Sequence, residues 1–271
     1  MRDNKLANLI EILKDMQSAV LAYSGGVDST FLFKAMQLSG IRALAGTAVS
    51  EIMPRREVLS AKKMAKEIGI KHMIIETHEL SNKKFVSNTP ERCFVCKDIR
   101  FKKLKEIAMS EGYRFVLDGG NSNDLDDYRP GKKAAEKYGV RSPLIEAIFS
   151  KKEIREFSQT LGLSTWDKPS SPCLSSRFPY GRRITKEALT RVEKAEDFLR
   201  SFGFHEIRVR DHGSIARIEV EEDKIGLLLT PERRKIISEK LKSLGYEFIS
   251  LDLDGYKSGS MNRVLKGSCI L

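Results

Sequence analysis

The first candidate for chemistry is the glycine-rich string Ser24-Gly-Gly-Val-Asp-Ser-Thr30, which lies between a predicted strand and a predicted helix. Glycine lets a backbone approach a phosphate closely, and the first amides of a helix are free donors with a partial positive charge. The string lacks the Gly-Lys-Ser/Thr ending of a Walker loop, so it predicts another kind of phosphate-binding turn. A glycine-rich turn without a ligand is the alternative.

Cysteine thiols are the second candidate. The chain has 4 cysteines in 271 residues, too few for a disulfide scaffold. Cys93 and Cys96 form a CxxC at the start of a predicted helix, which places two thiolates on one side of a turn and suits one metal or cluster. Cys173 is a possible third thiolate. Zinc would require a fourth ligand besides these three cysteines, and none of the 4 histidines has a metal-ligand spacing to the CxxC. Three cysteines suit a 4Fe-4S cluster in which one iron has no protein ligand. A redox disulfide and plain structural cysteines are the alternatives, and Cys269 is an unassigned thiol.

Short apolar strands that alternate with helices predict the scaffold that holds these groups. The predicted strands cover residues 18–23, 42–49, 71–77 and 114–120, and the predicted helices cover residues 28–38, 55–68 and 92–110. This spacing favours βαβ units and an α/β fold with a parallel sheet that is buried on both faces.

A proline-containing loop divides the predicted scaffold in two. A capping box at Ser150 to Glu153 opens a helix that ends near residue 161, and the prolines that follow are Pro169, Pro172 and Pro179. Beyond them we predict helices at 186–202 and 231–244, strands at 205–210, 215–220 and 246–253, and a hairpin-like turn at 211–213. The predicted parts are a phosphate-binding domain at 1–165, a junction loop with Cys173 at 166–184, and a smaller C-terminal α+β domain at 185–271.

Composition and charge limit the class of protein. Hydrophobic residues make up 41% and charged residues 31%, with a mean hydropathy of −0.34, which excludes collagen-like, low-complexity and disordered chains. No apolar run reaches the roughly 20 residues of a membrane span, and the amphipathic N-terminus has no cleavage site, so we expect a cytoplasmic protein. The net charge of +11 concentrates at 83–114 and 129–155. These stretches indicate either a solvated surface or an anionic partner: a nucleotide, a phosphorylated small molecule or RNA.

An ordered series of motifs lies between about residues 18 and 260: Asp118-Gly-Gly-Asn-Ser-Asn-Asp124, Asp127-Tyr-Arg-Pro-Gly131, Trp166-Asp-Lys-Pro169, Pro172-Cys-Leu-Ser-Ser-Arg177, Pro179-Tyr-Gly181, Arg208-Val-Arg210 and Ala216-Arg-Ile-Glu219. The glycine-rich string matches the SGGxDS signature of the PP-loop ATP pyrophosphatases, and together with this series it makes the chain resemble the LarE family. Members of that family are ATP-dependent sulfur transferases that make the nickel-pincer nucleotide cofactor.

The resemblance implies a PP-loop domain of the adenine nucleotide alpha hydrolase-like fold, which binds ATP and leaves an adenylated substrate. The residues that it assigns to ATP are Ser24, Gly25, Gly26, Asp28 and Ser29, and Asp28 would also lie near Mg²⁺. The substrate would be a carboxylate of pyridinium-3,5-biscarboxylic acid mononucleotide. Sulfur would then displace AMP and give a thiocarboxylate.

The resemblance also implies roles in the second half of the chain. Cys173 matches the family's sulfur-carrying cysteine, and the nearby cation Arg177, which we group with the cofactor-binding residues, would favour its thiolate form. Further matches to substrate-site residues are Arg208, Arg210, Glu196 and Glu219. The two arginines would bind the substrate phosphate from one face of a strand. The two glutamates would move protons or orient the substrate.

The three cysteines resemble the cluster-bearing LarE variant, in which Cys93, Cys96 and Cys173 would hold the 4Fe-4S cluster and an outside donor would supply sulfide. Other family members sacrifice the sulfur of one cysteine and retain dehydroalanine. The nearest rival is a cluster-dependent tRNA thiolase of the PP-loop class, which the lack of zinc-knuckle cysteine pairs and of an aromatic RNA platform disfavours, so nucleic acid is not expected. A non-catalytic ATP-binding module is disfavoured by Asp28 and Cys173. We expect a homo-oligomer.

Overall fold

A computed structural model describes residues 2–124, 131–204, 206–257 and 259–266, and it divides the chain into two compact units. The first unit runs over 1–85 and 90–171, and the second runs over 86–89 and 172–271. The point of division lies inside the predicted junction loop 166–184, and the predicted domain limits stay a prediction. His205, Cys269 and most of the motif at 127–131 lie outside the described residues.

The first unit is built on a parallel sheet. Its strands are β1 (Ser18–Ala22), β2 (Arg42–Val49), β3 (His72–Glu76) and β4 (Phe115–Leu117). They lie in the order β3-β2-β1-β4, and every neighbouring pair is parallel. The predicted α/β class with a parallel sheet is therefore confirmed.

Helices cover both faces of this sheet. In chain order they are α1 (Arg2–Met16), α2 (Val27–Ser39), α3 (Arg55–Ile68), α4 (Lys83–Val86), α5 (Arg92–Ser110), α6 (Gly131–Tyr138), α7 (Pro143–Glu146) and α8 (Lys151–Thr160). One core joins Leu21 to Phe31 of α2 and Ile154 of α8, and the other joins Val20 to Phe101 of α5. Successive residues of β1 thus face opposite cores, which is why its sequence is apolar throughout. In the described part of the chain, no helix has the length and apolar character to cross a membrane.

Strand β4 is shorter than the sequence predicts. We expected a strand over 114–120, but the ladder ends at Leu117. The amide of Asp118 donates to the carbonyl of Arg141 instead, and Gly119 lies against the start of α2. A polar turn that makes these long-range contacts leaves the sheet, and a local apolar pattern does not reveal it.

The second unit contains a mixed sheet of β5 (Arg208–Asp211), β6 (Ile215–Glu219) and β7 (Phe248–Leu251), in that order. β5 and β6 form the predicted antiparallel hairpin, while β7 runs parallel to β6. The helices are α9 (Lys186–Arg200), α10 (Ile225–Leu228), α11 (Pro231–Ser243) and α12 (Arg263–Lys266). The core joins Leu199 of α9 and Leu241 of α11 to Val209.

Four residues from the first half of the chain belong to this second unit. The amide of Ile184 donates to the carbonyl of Val86 at 2.9 Å, and the amide of Gly181 donates to the carbonyl of Asn88 at 3.0 Å. The buried side chain of Asn88 donates to the carbonyl of Pro179 at 2.7 Å. Residues 86–89 and 179–184 thus form one hydrogen-bonded patch.

Candidate active site

The glycine-rich string forms the turn between β1 and α2, as its sequence predicts. Gly25 has a left-handed φ of +71°, and Gly26 is the extended N-cap residue of α2. Ser24 Oγ lies 3.0 Å from Ser29 Oγ and accepts from the amide of Gly26 at 3.4 Å, and Ser29 Oγ donates to the Gly26 carbonyl at 3.2 Å. The turn therefore gathers two hydroxyl groups and the first amides of a helix, which is the donor set that a phosphate requires.

A cavity of about 270 Å³ opens beside this turn, at the carboxyl ends of the parallel strands. β1 lies between β2 and β4, so the winding of the sheet reverses there, and ligands of open α/β sheets bind at such a point. Glycines allow close packing along its lining. A Cβ on Gly46 would lie 2.7 Å from the Ile75 side chain, and one on Gly119 would lie 3.0 Å from the amide nitrogen of Ser29. The polar lining includes Ser24, Asp28, Ser29, Lys97, Arg100 and Asp124.

Asp28, the predicted magnesium ligand, lies in the first turn of α2 and lines the cavity. Both of its carboxylate oxygens accept from Lys151 Nζ, each at 2.6 Å. The Lys151 and Asp28 side chains are 39% and 23% exposed, so water reaches the pair. The Asp28 carboxylate binds the positively charged ammonium group of Lys151, and its oxygens are the donors that Mg²⁺ prefers, so this residue fits that ion. Lys151 must move away before a metal can take both oxygens.

The first turn of α8 positions Lys151. The predicted capping box is present: Ser150 accepts from the amide of Glu153, and the Glu153 carboxylate accepts from the amide of Ser150 at 2.8 Å. The amide of Lys151 donates to the Asn123 side chain at 2.8 Å. Lys5 Nζ lies 2.6 Å from the Glu153 carboxylate, and this contact, together with the Ser150 bonds, lowers the pKa of Glu153 to about 2.

Cys93 and Cys96 lie at the start of α5, within the same unit as the cavity; Cys93 is exposed and Cys96 is half-buried. Cys96 Sγ lies 3.7 Å from a carboxylate oxygen of Glu79, and Arg100 Nε binds the same oxygen at 2.8 Å. Burial raises the pKa of Glu79, but the positive charge and hydrogen bond of Arg100 oppose it, and the pKa lies below its ordinary value. Because Arg100 also lines the cavity, Glu79 connects the CxxC to it.

The predicted 4Fe-4S cluster needs Cys173 as its third ligand, and Cys173 belongs to the second unit. Among residues 2–124, 131–204, 206–257 and 259–266, no group of three or more His, Cys, Asp or Glu side chains forms a metal site. These residues therefore show no complete ligand set for the cluster, and the cluster stays a prediction.

A fully buried arginine, Arg177, holds the loop that carries Cys173. Its guanidinium binds the two oxygens of Glu196 at 2.8 and 3.0 Å and donates to the carbonyls of Pro172 and Cys173 at 2.8 and 3.2 Å. Burial alone raises the pKa of Glu196, but Arg177 outweighs it and lowers that pKa, so the pair is charged. Arg177 thus orients the backbone beside the half-buried Cys173 thiol, while its predicted contact with a cofactor stays a prediction.

Arg208 and Arg210 occupy alternate positions of β5, as predicted, and each is 4% exposed. Arg210 binds both oxygens of Glu219 at 2.9 and 2.6 Å. Arg208 donates to the carbonyl of Ile207 at 2.7 Å, and its guanidinium carbon lies 4.6 Å from the centre of the Tyr256 ring. Glu219 therefore orients one of the two predicted phosphate-binding arginines.

Ion pairs link these carboxylates to further arginines. Glu196 lies 3.6 Å from Arg200, and Glu219 lies 3.2 Å from Arg217, which also binds Asp252 at 2.6 Å. Burial first, and then the positive charge of Arg177, lower the pKa of Arg208 below its ordinary value. An anion bound beside Arg208 would offset the positive charges that act on it.

Sequence reasoning missed the lysines and the arginine that complete the first site. Lys97 and Arg100 follow Cys93 and Cys96 at helical spacing, so the periodicity of α5 already placed all four on one face. Lys151 lies inside the capping box, where the pattern indicates a helix start and nothing more. No local signal pairs it with Asp28, because 123 residues separate the two.

Two relatives match the chain over nearly its full length, and a more distant one matches about half of it. A protein of uncharacterised function from Synechocystis sp. is 44% identical over 98% of this chain and 99% of the relative. The pyridinium-3,5-bisthiocarboxylic acid mononucleotide synthase of Lactiplantibacillus plantarum is 41% identical over 96% of this chain and 95% of that enzyme. The tRNA-specific 2-thiouridylase MnmA of Desulforamulus reducens is 24% identical over 56% of this chain and 53% of the relative. No family model matches the chain.

Proposed function

The chain belongs to the LarE family of ATP-dependent sulfur transferases, and from that membership we propose that it adenylates a carboxylate of pyridinium-3,5-biscarboxylic acid mononucleotide and converts it to a thiocarboxylate. The observation that carries the proposal is the cavity at the glycine-rich turn. Helix amides, the hydroxyls of Ser24 and Ser29 and the carboxylate of Asp28 all border it.

In the adenylation step, a substrate carboxylate oxygen attacks the α-phosphorus of ATP. The bond from that phosphorus to the bridging oxygen breaks, and pyrophosphate leaves. Negative charge grows on the leaving group, where the Gly26 amide and the Ser24 and Ser29 hydroxyls donate, and Lys97 and Arg100 add positive charge from the same cavity. Mg²⁺ held by Asp28 would neutralise part of the phosphate charge.

In the sulfur-transfer step, a sulfur nucleophile attacks the carboxyl carbon of the acyl adenylate. The carbon–oxygen bond to AMP breaks, and a thiocarboxylate and AMP result. Arg208 and Arg210 hold the substrate phosphate, and Arg177 orients the loop of Cys173. A 4Fe-4S cluster on Cys93, Cys96 and Cys173 would supply inorganic sulfide from an outside donor. The alternative source is the sulfur of Cys173 itself. Its thiolate would displace AMP to form a thioester, and loss of the Cα proton with cleavage of the Cβ–S bond would then release the thiocarboxylate and leave dehydroalanine at position 173.

The test is anaerobic reconstitution with iron and sulfide, followed by incubation with ATP, Mg²⁺, the bis-carboxylate nucleotide and excess sulfide. AMP, pyrophosphate, thiocarboxylate per chain and the mass of the Cys173 peptide are measured together. We expect several thiocarboxylates per chain and an unchanged Cys173 mass. Cys93→Ser and Cys96→Ser should end repeated turnover, while the matched variant Cys269→Ser should retain it.

The outcomes separate the parts of the proposal. A single thiocarboxylate per chain, with dehydroalanine at position 173 and no bound iron, keeps the reaction and removes the cluster. Absence of substrate-dependent AMP removes the reaction itself. Because MnmA relatives share about half of the chain, the same assay is run with unmodified tRNA, and thiolated tRNA in place of the thiocarboxylate would identify an RNA substrate.

A further inference from the structure

Lys168 extends from the segment after α8 to the backbone of the glycine-rich turn. Its Nζ lies 3.0 Å from the carbonyl oxygen of Gly25, 2.8 Å from a carboxylate oxygen of Glu57 and 3.3 Å from Ser60 Oγ. The Lys168 and Glu57 side chains are 18% and 12% exposed, so this ion pair is largely withdrawn from water. The proposed adenylation and sulfur-transfer steps assign no role to Lys168 or Glu57.

The backbone that carries Lys168 is itself fixed. Arg155 of α8 donates to the carbonyls of Trp166 and Lys168 at 2.7 and 3.0 Å, and the Lys168 amide donates to the carbonyl of Thr165 at 3.0 Å. Pro169 follows and restricts the backbone of Lys168 to an extended conformation. The side chain therefore starts from a defined position and has little freedom to lose when it binds Gly25.

The other side of the turn lies against α3. A Cβ on Gly25 would lie 2.7 Å from the Cβ of Ala61, closer than real side chains approach. Glu57, Ser60 and Ala61 occupy positions i, i+3 and i+4 of α3, so one face of this helix contacts both the turn and Lys168. Burial raises the pKa of Glu57, but the hydrogen bond and charge of Lys168, together with Ser171 and Arg56, outweigh it and lower that pKa, so Glu57 is ionised near neutral pH.

The bond from Lys168 decides which way the Gly25–Gly26 peptide faces. All peptides in the described residues are trans, and the carbonyl and the amide of a trans peptide point in opposite directions. With its carbonyl directed at Lys168, this peptide directs the Gly26 amide toward Ser24 Oγ, and Ser24 and Gly26 both line the cavity. The reversed peptide would direct an oxygen at bound phosphates, which repel it.

We propose that Lys168 is a positioning residue for ATP: by holding the Gly25 carbonyl, it keeps the Gly26 amide directed at the phosphates. This inference rests on the proposed function, because it needs a triphosphate in the cavity. Lys168 acts through the backbone and does not itself contact ATP.

The experiment compares K168M, K168R, E57Q and the matched variant K66M, which removes a positive charge from the exposed side of α3. For each protein we measure the melting temperature, the dissociation constants of ATP, pyrophosphate and adenosine, and kcat and KM for AMP formation. Adenosine needs the folded cavity but has no phosphates. If Lys168 had only a structural role, its loss would weaken the binding of adenosine and ATP alike.

We expect K168M to weaken ATP and pyrophosphate binding by at least about tenfold and to leave adenosine binding unchanged. The variant loses the charged donor that holds the Gly25 carbonyl, and the Gly26 amide that this bond positions contacts only phosphates. K168R should recover most of the affinity, E57Q should weaken it slightly by loosening Lys168, and K66M should match the wild type. Equal losses for ATP and adenosine, or tighter ATP binding by E57Q, would overturn the inference. If the wild type binds neither ATP nor pyrophosphate, the proposed function fails; if it binds both and K168M matches it, the inference alone fails.

Discussion

The Asp28–Lys151 pair of the first unit and the Arg177–Glu196 pair of the second differ in their exposure to water. In the first unit, Asp28 and Lys151 form an ion pair at the cavity with side chains that are 23% and 39% exposed. In the second unit, Arg177, Glu196 and Glu219 are 0% exposed and are bonded on several sides. The first arrangement can exchange its partners when a ligand arrives. The second fixes the position of each guanidinium before a ligand arrives, so less conformational freedom is lost on binding.

Stability and chemistry should therefore separate between the units. A partly exposed ion pair stabilises a protein by about 0–1 kcal/mol, whereas removal of one partner from a buried pair destabilises it by about 3–5 kcal/mol. Substitutions at the first site should change rates and leave the fold intact. Substitutions in the second network should change the free energy of unfolding as well.

The largest effect should come from Asp28→Asn. The variant keeps the shape of Asp28 but loses the carboxylate, so AMP formation should fall by at least about 100-fold, while the free energy of unfolding should change by less than about 1 kcal/mol. AMP release and a denaturant titration measure the two quantities. The exposed residue Asp15 supplies the control Asp15→Asn, which should retain full AMP release. Normal AMP release by Asp28→Asn would remove Asp28 from the mechanism.

Glu196→Gln tests the second unit. The neutral side chain leaves Arg177 buried without its carboxylate partner, so the free energy of unfolding should fall by about 3–5 kcal/mol. Denaturant titration measures it, and Asp197→Asn, at the exposed next position of α9, should change it by less than about 1 kcal/mol. Equal, small effects of the two variants would mean that the buried network does not stabilise this unit.

Arg208→Ala and Arg210→Ala should weaken binding of the nucleotide substrate by about 1.5–3 kcal/mol each, because each removes a charged donor from its phosphate. ATP affinity should change little, since the proposed ATP site lies in the first unit. Titration calorimetry with each ligand separates the two effects, and Arg234→Ala on α11 is the control. Unchanged substrate affinity in both β5 variants would leave these arginines with a structural role only.

The smallest effect should come from Glu153→Gln, which keeps a side chain that can complete the capping box of α8 but removes the charge that contacts Lys5. We expect a loss of about 0–1 kcal/mol at neutral pH. The folded-state pKa of about 2 lies below the ordinary value of 4.5, so the stabilisation by Glu153 is complete above pH 4.5 and is lost as the pH falls toward 2. Unfolding measured across that interval should depend less on pH in the variant, and parallel profiles would contradict the assignment.

Local patterns predicted most of the fold. The strand at 42–49 and the helix at 55–68 have the predicted limits. A strand that is buried on both faces is a continuous apolar run, and an amphipathic helix has apolar residues at helical spacing, so both patterns can be recognised from residues that are close in sequence. The end of β4 was not predictable, because it depends on Arg141, which is distant in sequence.

The part of the candidate site that a short run of consecutive residues forms was predictable from the sequence. Contacts between side chains that are distant in sequence were not. The glycine-rich turn needs specific residues in a row, so Ser24 to Ser29 could be identified directly. The partners Lys151 and Lys168 come from far along the chain, and lysine is too common on surfaces for its position to signal a contact. The burial of Arg177 was likewise hidden, since a charged residue is expected to be exposed until its partner is known.

Residues 86–89 have a consequence for any dissection of this enzyme. The chain enters the second unit for these four residues, returns, and enters it again at 172, so three peptide bonds join the two units. A gene truncated after codon 171 leaves the carbonyls of Val86 and Asn88 without the amides of Ile184 and Gly181, and a gene that starts at codon 172 leaves those amides without acceptors. The two halves therefore have to be expressed together, or the second half has to be joined to a copy of residues 86–89.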